Sequence, residues 1–196
     1  MSEQPPPAGP EPQFTMEPGW SPLLGILPAS TGARFVSKDD SGQRLRVRYF
    51  RRDADGALMG KVWFGPGTEG PPGHAHGGAM AAVLDEAMGY GAWISGHAVV
   101  AARITVEFKT LLPLGAEVLL EAWVERSEGR KVHMRGHLLG PDGKPYSRSE
   151  GLFVVLGAQR FGELRDKATG AGAGATEDTE LLAKLVRKGP GGDAPG

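Results

Sequence analysis

Residues 65–94, GPGTEGPPGHAHGGAMAAVLDEAMGYGAWI, bring two kinds of reactive group close together along the chain. His76-Gly77-Gly78 offers backbone N–H groups that no side chain shields, and Asp85-Glu86 offers two adjacent carboxylates. Aligned N–H groups stabilise the oxyanion that forms on an acyl carbonyl, and a carboxylate can attack that carbonyl or take a proton from water. The chemistry so assembled is acyl transfer to water, and it requires neither a metal nor an organic cofactor. The same letters also describe a plain glycine turn followed by a solvated acid pair. Pattern alone leaves both readings open.

The element that must position these groups is a helix. Met80, Val83, Leu84, Ala87, Met88 and Gly91 recur at the i, i+3, i+4, i+7, i+8 spacing of one helical face, which predicts a helix starting near Gly78. Its first N–H groups lack intrahelical partners, and the peptide dipoles leave partial positive charge at that end. Asp85 stands about 100° round from Leu84, with Ala81, Ala82, Met88 and Gly89 three and four residues away. Mostly small neighbours leave room beside its carboxylate.

His76-Gly77-Gly78, followed by Ala79-Met80 and by Leu84-Asp85-Glu86-Ala87-Met88-Gly89, resembles the HGG…D signature of hotdog-fold acyl-CoA thioesterases. The acid nine residues after the histidine matches the phenylacetyl-CoA and 4-hydroxybenzoyl-CoA thioesterase branch. RITVEFKTLLPL (Arg103 to Leu114), the GRK at Gly129 to Lys131 and SEGLFVVL (Ser149 to Leu156) fit the same family, so the resemblance covers about residues 44–157. It implies that Gly77 donates its N–H to the thioester carbonyl, with Gly78 beside it, and that His76 shapes the turn presenting Gly77. It also implies that Asp85 is the nucleophile or the base that activates water, the two groups coming from different subunits of a homodimer or homotetramer. Glu86 is the competing acid; the spacing from His76 favours Asp85. Two positions depart from the family pattern. Gly70 stands where relatives carry Asn or Gln, and Ala101-Ala102-Arg103 where many carry Ser or Thr. For the phosphates of coenzyme A, the candidate side chains are Arg130, Lys131 and Lys109. Trp63, Phe64, Tyr90 and Trp93 line either an acyl pocket or the core.

Around the helix the sequence alternates. Leu45, Val47 and Tyr49 against Arg44, Arg46 and Arg48 read as a half-buried strand, and Asp53-Ala54-Asp55-Gly56 turns the chain into a second strand, Leu58 to Phe64. Beyond Gly96-His97 come strands at Val99 to Lys109, Gly115 to Glu125, Lys131 to Leu139 and, after a turn at Pro141 to Lys144, Tyr146 to Leu156. His133, Arg135 and His137 share the wet face of one of them. The expected class is α+β, a hotdog fold in which an antiparallel sheet wraps one long central helix.

The flanks read differently. Residues 1–19 are rich in Pro, Gly and Glu and are expected to be a disordered tail. Trp20 to Leu27 is an apolar patch that could form a short helix docked on the domain or on a partner subunit. The hotdog domain is expected over 20–158, and 159–196 reads as a Gly/Ala-rich linker with a short amphipathic helix at Glu177 to Lys188.

With 196 residues, 40% hydrophobic, one core is expected; 22 basic against 23 acidic residues give a net charge of −1 and no field to draw nucleic acid or an anionic membrane. The absence of cysteine removes disulfides, thiol nucleophiles and Cys-ligated zinc. His74-x-His76 lacks a third ligand at a recognised spacing, so no metal is expected. No secretory signal or membrane-length apolar run is read, and a cytoplasmic setting is expected. The expected function is hydrolysis of an acyl-CoA thioester. The alternatives are a hotdog domain that binds acyl-CoA without cleaving it, or a hotdog enoyl-CoA hydratase or dehydratase.

Overall fold

The computed structural model describes residues 12–23, 35–36 and 42–157. Seven strands form one antiparallel sheet: β1 (Trp20–Pro22), β2 (Leu45–Arg52), β3 (Leu58–Phe64), β4 (Val99–Phe108), β5 (Glu117–Glu128), β6 (Lys131–Leu139) and β7 (Pro145–Val155). Their spatial order is β1-β2-β3-β5-β6-β7-β4. A single long helix, α1 (Gly77–Ile94), lies between β3 and β4 in sequence and packs on one face of the sheet. This is the α+β hotdog arrangement that the resemblance implies, and β3 and β6 begin and end where the alternation places them.

Helix and sheet join through apolar faces of different period. Met80, Val83, Leu84, Ala87, Met88 and Ala92 meet Leu58, Val62 and Phe64 of β3, Val118, Leu120 and Ala122 of β5, and Val132, Met134 and Leu138 of β6. The residues between these on each strand, such as His133, Arg135 and His137, fall on the other face, where Arg135 pairs with Glu125 at 2.9 Å. The approach is close enough that β6 needs a glycine. A Cβ on Gly136 would stand 2.8 Å from Ser149 Oγ and 3.2 Å from Leu84.

The outer face carries a second, smaller apolar cluster, in which Phe50, Ala57 and Met59 pack with Trp20, Leu119 and Trp123. Here the structure departs from the sequence reading. Trp20, expected within a short helix, instead begins strand β1, which pairs with Arg52 to Phe50 of β2. Residues 24–27 of that patch, like residues 1–11 of the tail and everything after residue 157, lie outside the described residues. Residues 12–19, expected in the disordered tail, lie against the sheet. Arg48 donates to the Phe14 carbonyl at 3.2 Å, and Lys61 Nζ pairs with Glu17 at 2.6 Å and Glu117 at 3.4 Å. The physical reason is burial: Trp20 covers the Phe50 ring at 5.4 Å between centroids, and Ser21 Oγ donates to Asp53 at 2.6 Å.

β1 and β4 are the two margins of the sheet. β1 is three residues long and ends in proline. β4 is ten residues long, pairs only with β7 and exposes most of its length, with Val100 and Phe108 prominent and Leu111 just beyond.

Candidate active site

The loop before α1 is fixed by its own backbone. His76 N–H donates to the Thr68 carbonyl at 2.7 Å, Ala75 N–H to Leu112 at 2.8 Å, and Gly70 N–H to His74 at 2.9 Å. Gly70 packs so tightly that a Cβ there would sit 2.8 Å from His76 Cα. The loop in this conformation therefore has no space for the Asn or Gln that relatives carry at that position. The His74 ring is engaged locally, its Nδ1 lying 2.8 Å from the Pro72 carbonyl.

His76 is the N-cap of α1. Its Nδ1 accepts from Gly78 N–H at 2.8 Å, and its carbonyl accepts from Ala79 at 3.0 Å and Met80 at 3.2 Å. Of the free N–H groups that open every helix, this cap uses Gly78's. Gly77 N–H has no acceptor among the described residues. The structure thus separates two glycines that the sequence reading grouped: Gly77 keeps an available donor, whereas Gly78 is spent on the cap. A Cβ on Gly77 would stand 3.1 Å from the ring of Phe108, so a side chain there would push that ring a few tenths of an ångström off the turn.

Asp85 and Glu86 leave the helix on opposite flanks, because successive residues are rotated by about 100°. A Cβ on Gly89, on the Asp85 flank, would stand 3.8 Å from the Phe153 ring of β7, while Tyr90, on the Glu86 flank, meets Tyr49 of β2 ring to ring at 5.3 Å. Asp85 thus faces the side of the sheet that ends in β4, and Glu86 faces β2. Glu86 Oε1 accepts from Tyr49 Oη at 2.8 Å. Asp85 is half-buried and accepts no hydrogen bond among the described residues, and burial raises its pKa above the ordinary aspartate value. A desolvated carboxylate without a partner is poised to act as a base, whereas Glu86 serves to join helix to sheet.

Within one chain the donor and the acid do not meet. Eight residues of helix separate Gly77 from Asp85 by about 12 Å along the axis, too far to serve one carbonyl. The three cationic candidates are also divided. Lys109 follows Phe108 at the Gly77 end, where its Nζ pairs with Glu107 at 2.5 Å. Arg130 and Lys131 lie at the opposite end, beside Val154 and Val155, where the Arg130 guanidinium donates to the Val155 carbonyl at 3.1 and 3.3 Å. Of the four aromatics, Trp63 and Phe64 are buried, Tyr90 packs on Tyr49, and Trp93 donates to the Val99 carbonyl at 3.1 Å, so they serve packing. Phe108, which the sequence reading did not single out, is the aromatic at the helix start. Its position two residues before Thr110 on a strand carries no local signal of what its ring touches.

Residues 72–145 match the family model described as the Thioesterase superfamily. The chain is 38% identical over 122 residues to acyl-coenzyme A thioesterase THEM4 of Xenopus laevis, covering 60% of this chain and 54% of that protein, so it spans about half the length of this relative. A crystal structure of a thioesterase superfamily protein aligns with a TM-score of 0.54 at 30% identity, over 56% of this chain and 53% of that one. The E. coli PaaI protein of the phenylacetic acid degradation operon aligns with a TM-score of 0.53 at 18% identity, over 57% of this chain and 80% of that one, which speaks to the fold. A family match across the helix and the strands that follow, joined to the hotdog architecture, makes this chain similar to the thioesterase superfamily over residues 72–145.

Proposed function

We propose that this chain is an acyl-CoA thioesterase, hydrolysing the acyl–sulfur bond to give a carboxylic acid and coenzyme A, and that it works as a homodimer or homotetramer. The observation that carries the proposal is the pair formed by the unclaimed N–H of Gly77 and the unpartnered, proton-avid carboxylate of Asp85. The Gly77 N–H holds the carbonyl oxygen. Asp85 takes a proton from water as the water oxygen bonds to the carbonyl carbon; collapse of the tetrahedral adduct breaks the C–S bond, and the thiolate leaves to be protonated. The alternative order, in which Asp85 itself attacks and water then cleaves the acyl-enzyme, uses the same groups.

The span of about 12 Å between them makes the site a composite of two copies. Both Asp85 and the long exposed edge β4 lie on the same side of the helix. Pairing β4 with the β4 of a second copy, antiparallel about a two-fold axis, turns the Asp85 flank of one copy towards the Gly77 end of the other. The same reversal carries the Arg130 and Lys131 end of one copy towards the Lys109 end of its neighbour, where both sets reach the phosphates of one coenzyme A.

The test is thiol release from acetyl-, hexanoyl-, palmitoyl- and phenylacetyl-coenzyme A, comparing the native chain with Asp85→Asn. The chain has no cysteine and adds no thiol background. Turnover by the native protein and a loss of at least 1000-fold, an order-of-magnitude expectation for a group used in the transition state, is the expected result. The packing of Gly70 against His76 favours one second reading, a domain that binds acyl-CoA without cleaving it. Calorimetric binding of the same four thioesters with no turnover would establish that reading instead.

A further inference from the structure

Ser147 is fully buried at 0% exposure, and its Oγ has no hydrogen-bond partner among the described residues. A hydroxyl in that condition is costly, because it has given up water for nothing. Its neighbour on the same face shows the normal solution: Ser149 Oγ donates to the Gly136 carbonyl at 3.1 Å and lies 3.5 Å from Met88 Sδ on α1. Ser147, two residues earlier on β7, projects from that same helix-facing side of the sheet.

Its register places it at the reactive end. Ser147 pairs directly with Phe108 of β4, so their Cβ atoms are neighbours on one face. The Phe108 ring in turn lies on Gly77. Phe108 therefore stands beside a buried, unpaired hydroxyl in the ladder while its ring lies against an unpaired backbone N–H. Phe108 is 53% exposed and has room to turn.

Resting on the hydrolase reading above, we propose that Ser147 is a second oxyanion donor: when an acyl thioester displaces the Phe108 ring from Gly77, the Ser147 hydroxyl and the Gly77 N–H donate together to the thioester carbonyl oxygen. The hydroxyl keeps its proton throughout and forms no covalent bond. It supplies a side-chain contact to the thioester from β7, whereas the family pattern places such contacts at the positions occupied here by Gly70 and Ala101.

The native chain, Ser147→Ala and Ser147→Cys are compared on whichever of the four thioesters the native chain cleaves fastest, turnover being read here as disappearance of the thioester because the Cys variant adds a thiol of its own, with Tm measured alongside. Loss of one oxyanion donor typically lowers kcat by about 100- to 1000-fold. The expected result is a kcat fall of that size in both variants, KM within about three-fold of native, and a Tm that is unchanged or higher because the unsatisfied hydroxyl is gone. A kcat within three-fold of native in both variants would overturn the role of Ser147 while leaving the hydrolase reading intact. So would a loss of activity that tracks a fall in Tm, since a merely structural hydroxyl behaves that way. A native chain inert towards all four thioesters overturns the hydrolase reading and this role with it.

Discussion

Adjacent in sequence, Asp85 and Glu86 are chemically unlike because of what lies across from each. Tyr49 satisfies Glu86, and only burial acts on Asp85. Burial favours the neutral acid, so the pKa of Asp85 is higher in the folded chain than in the unfolded one. The stability associated with Asp85 is therefore fully present below its unfolded value and is lost as pH rises through the raised folded value. Asn carries no such penalty. Asp85→Asn is accordingly expected to become more stable relative to native between about pH 4 and pH 7, a window set by the ordinary aspartate range, which urea denaturation at the two pH values measures. A variant that loses both activity and stability at neutral pH would contradict the idea of a carboxylate kept uncomfortable for use. At this scale the sequence singled out Asp85 as the candidate acid through its spacing from His76. It could not show the tyrosine that bonds Glu86, because Tyr49 lies 37 residues away on strand β2.

At the scale of elements, the N-terminus of α1 is set by one side chain. His76 caps Gly78 and leaves Gly77 free. Replacing an N-cap acceptor with alanine typically costs about 1 kcal/mol, whereas asparagine still accepts. His76→Ala is expected to lower the free energy of unfolding by about 1 kcal/mol and to reduce turnover by loosening the turn, and His76→Asn to recover most of both. Chemical denaturation and thiol release read the two effects. A histidine acting as the general base would instead leave the asparagine variant as inactive as the alanine one. The longer strands were legible because period-2 alternation survives on any half-buried sheet. β1 was not: three residues, Trp20-Ser21-Pro22, carry no period, and their conformation is decided by the Phe50 ring beneath them. The pairing of Ser147 with Phe108 was equally invisible, since register follows from how β4 and β7 are joined across the sheet rather than from either strand's own letters.

At the scale of the whole molecule, the proposed division of the site between two copies would tie activity to association. Light scattering at micromolar concentration is expected to show a dimer or tetramer, and dilution below the dissociation constant to abolish turnover per chain. A fully active monomer would dissolve the composite site. The two margins of the sheet set the form of that association. A three-residue strand ending in proline offers almost no template for an incoming strand, while β4 offers ten residues of it. On the proposed pairing, a sheet with one open margin would add one copy and then stop, because the short β1 leaves no second template among the described residues from which a fibre could grow.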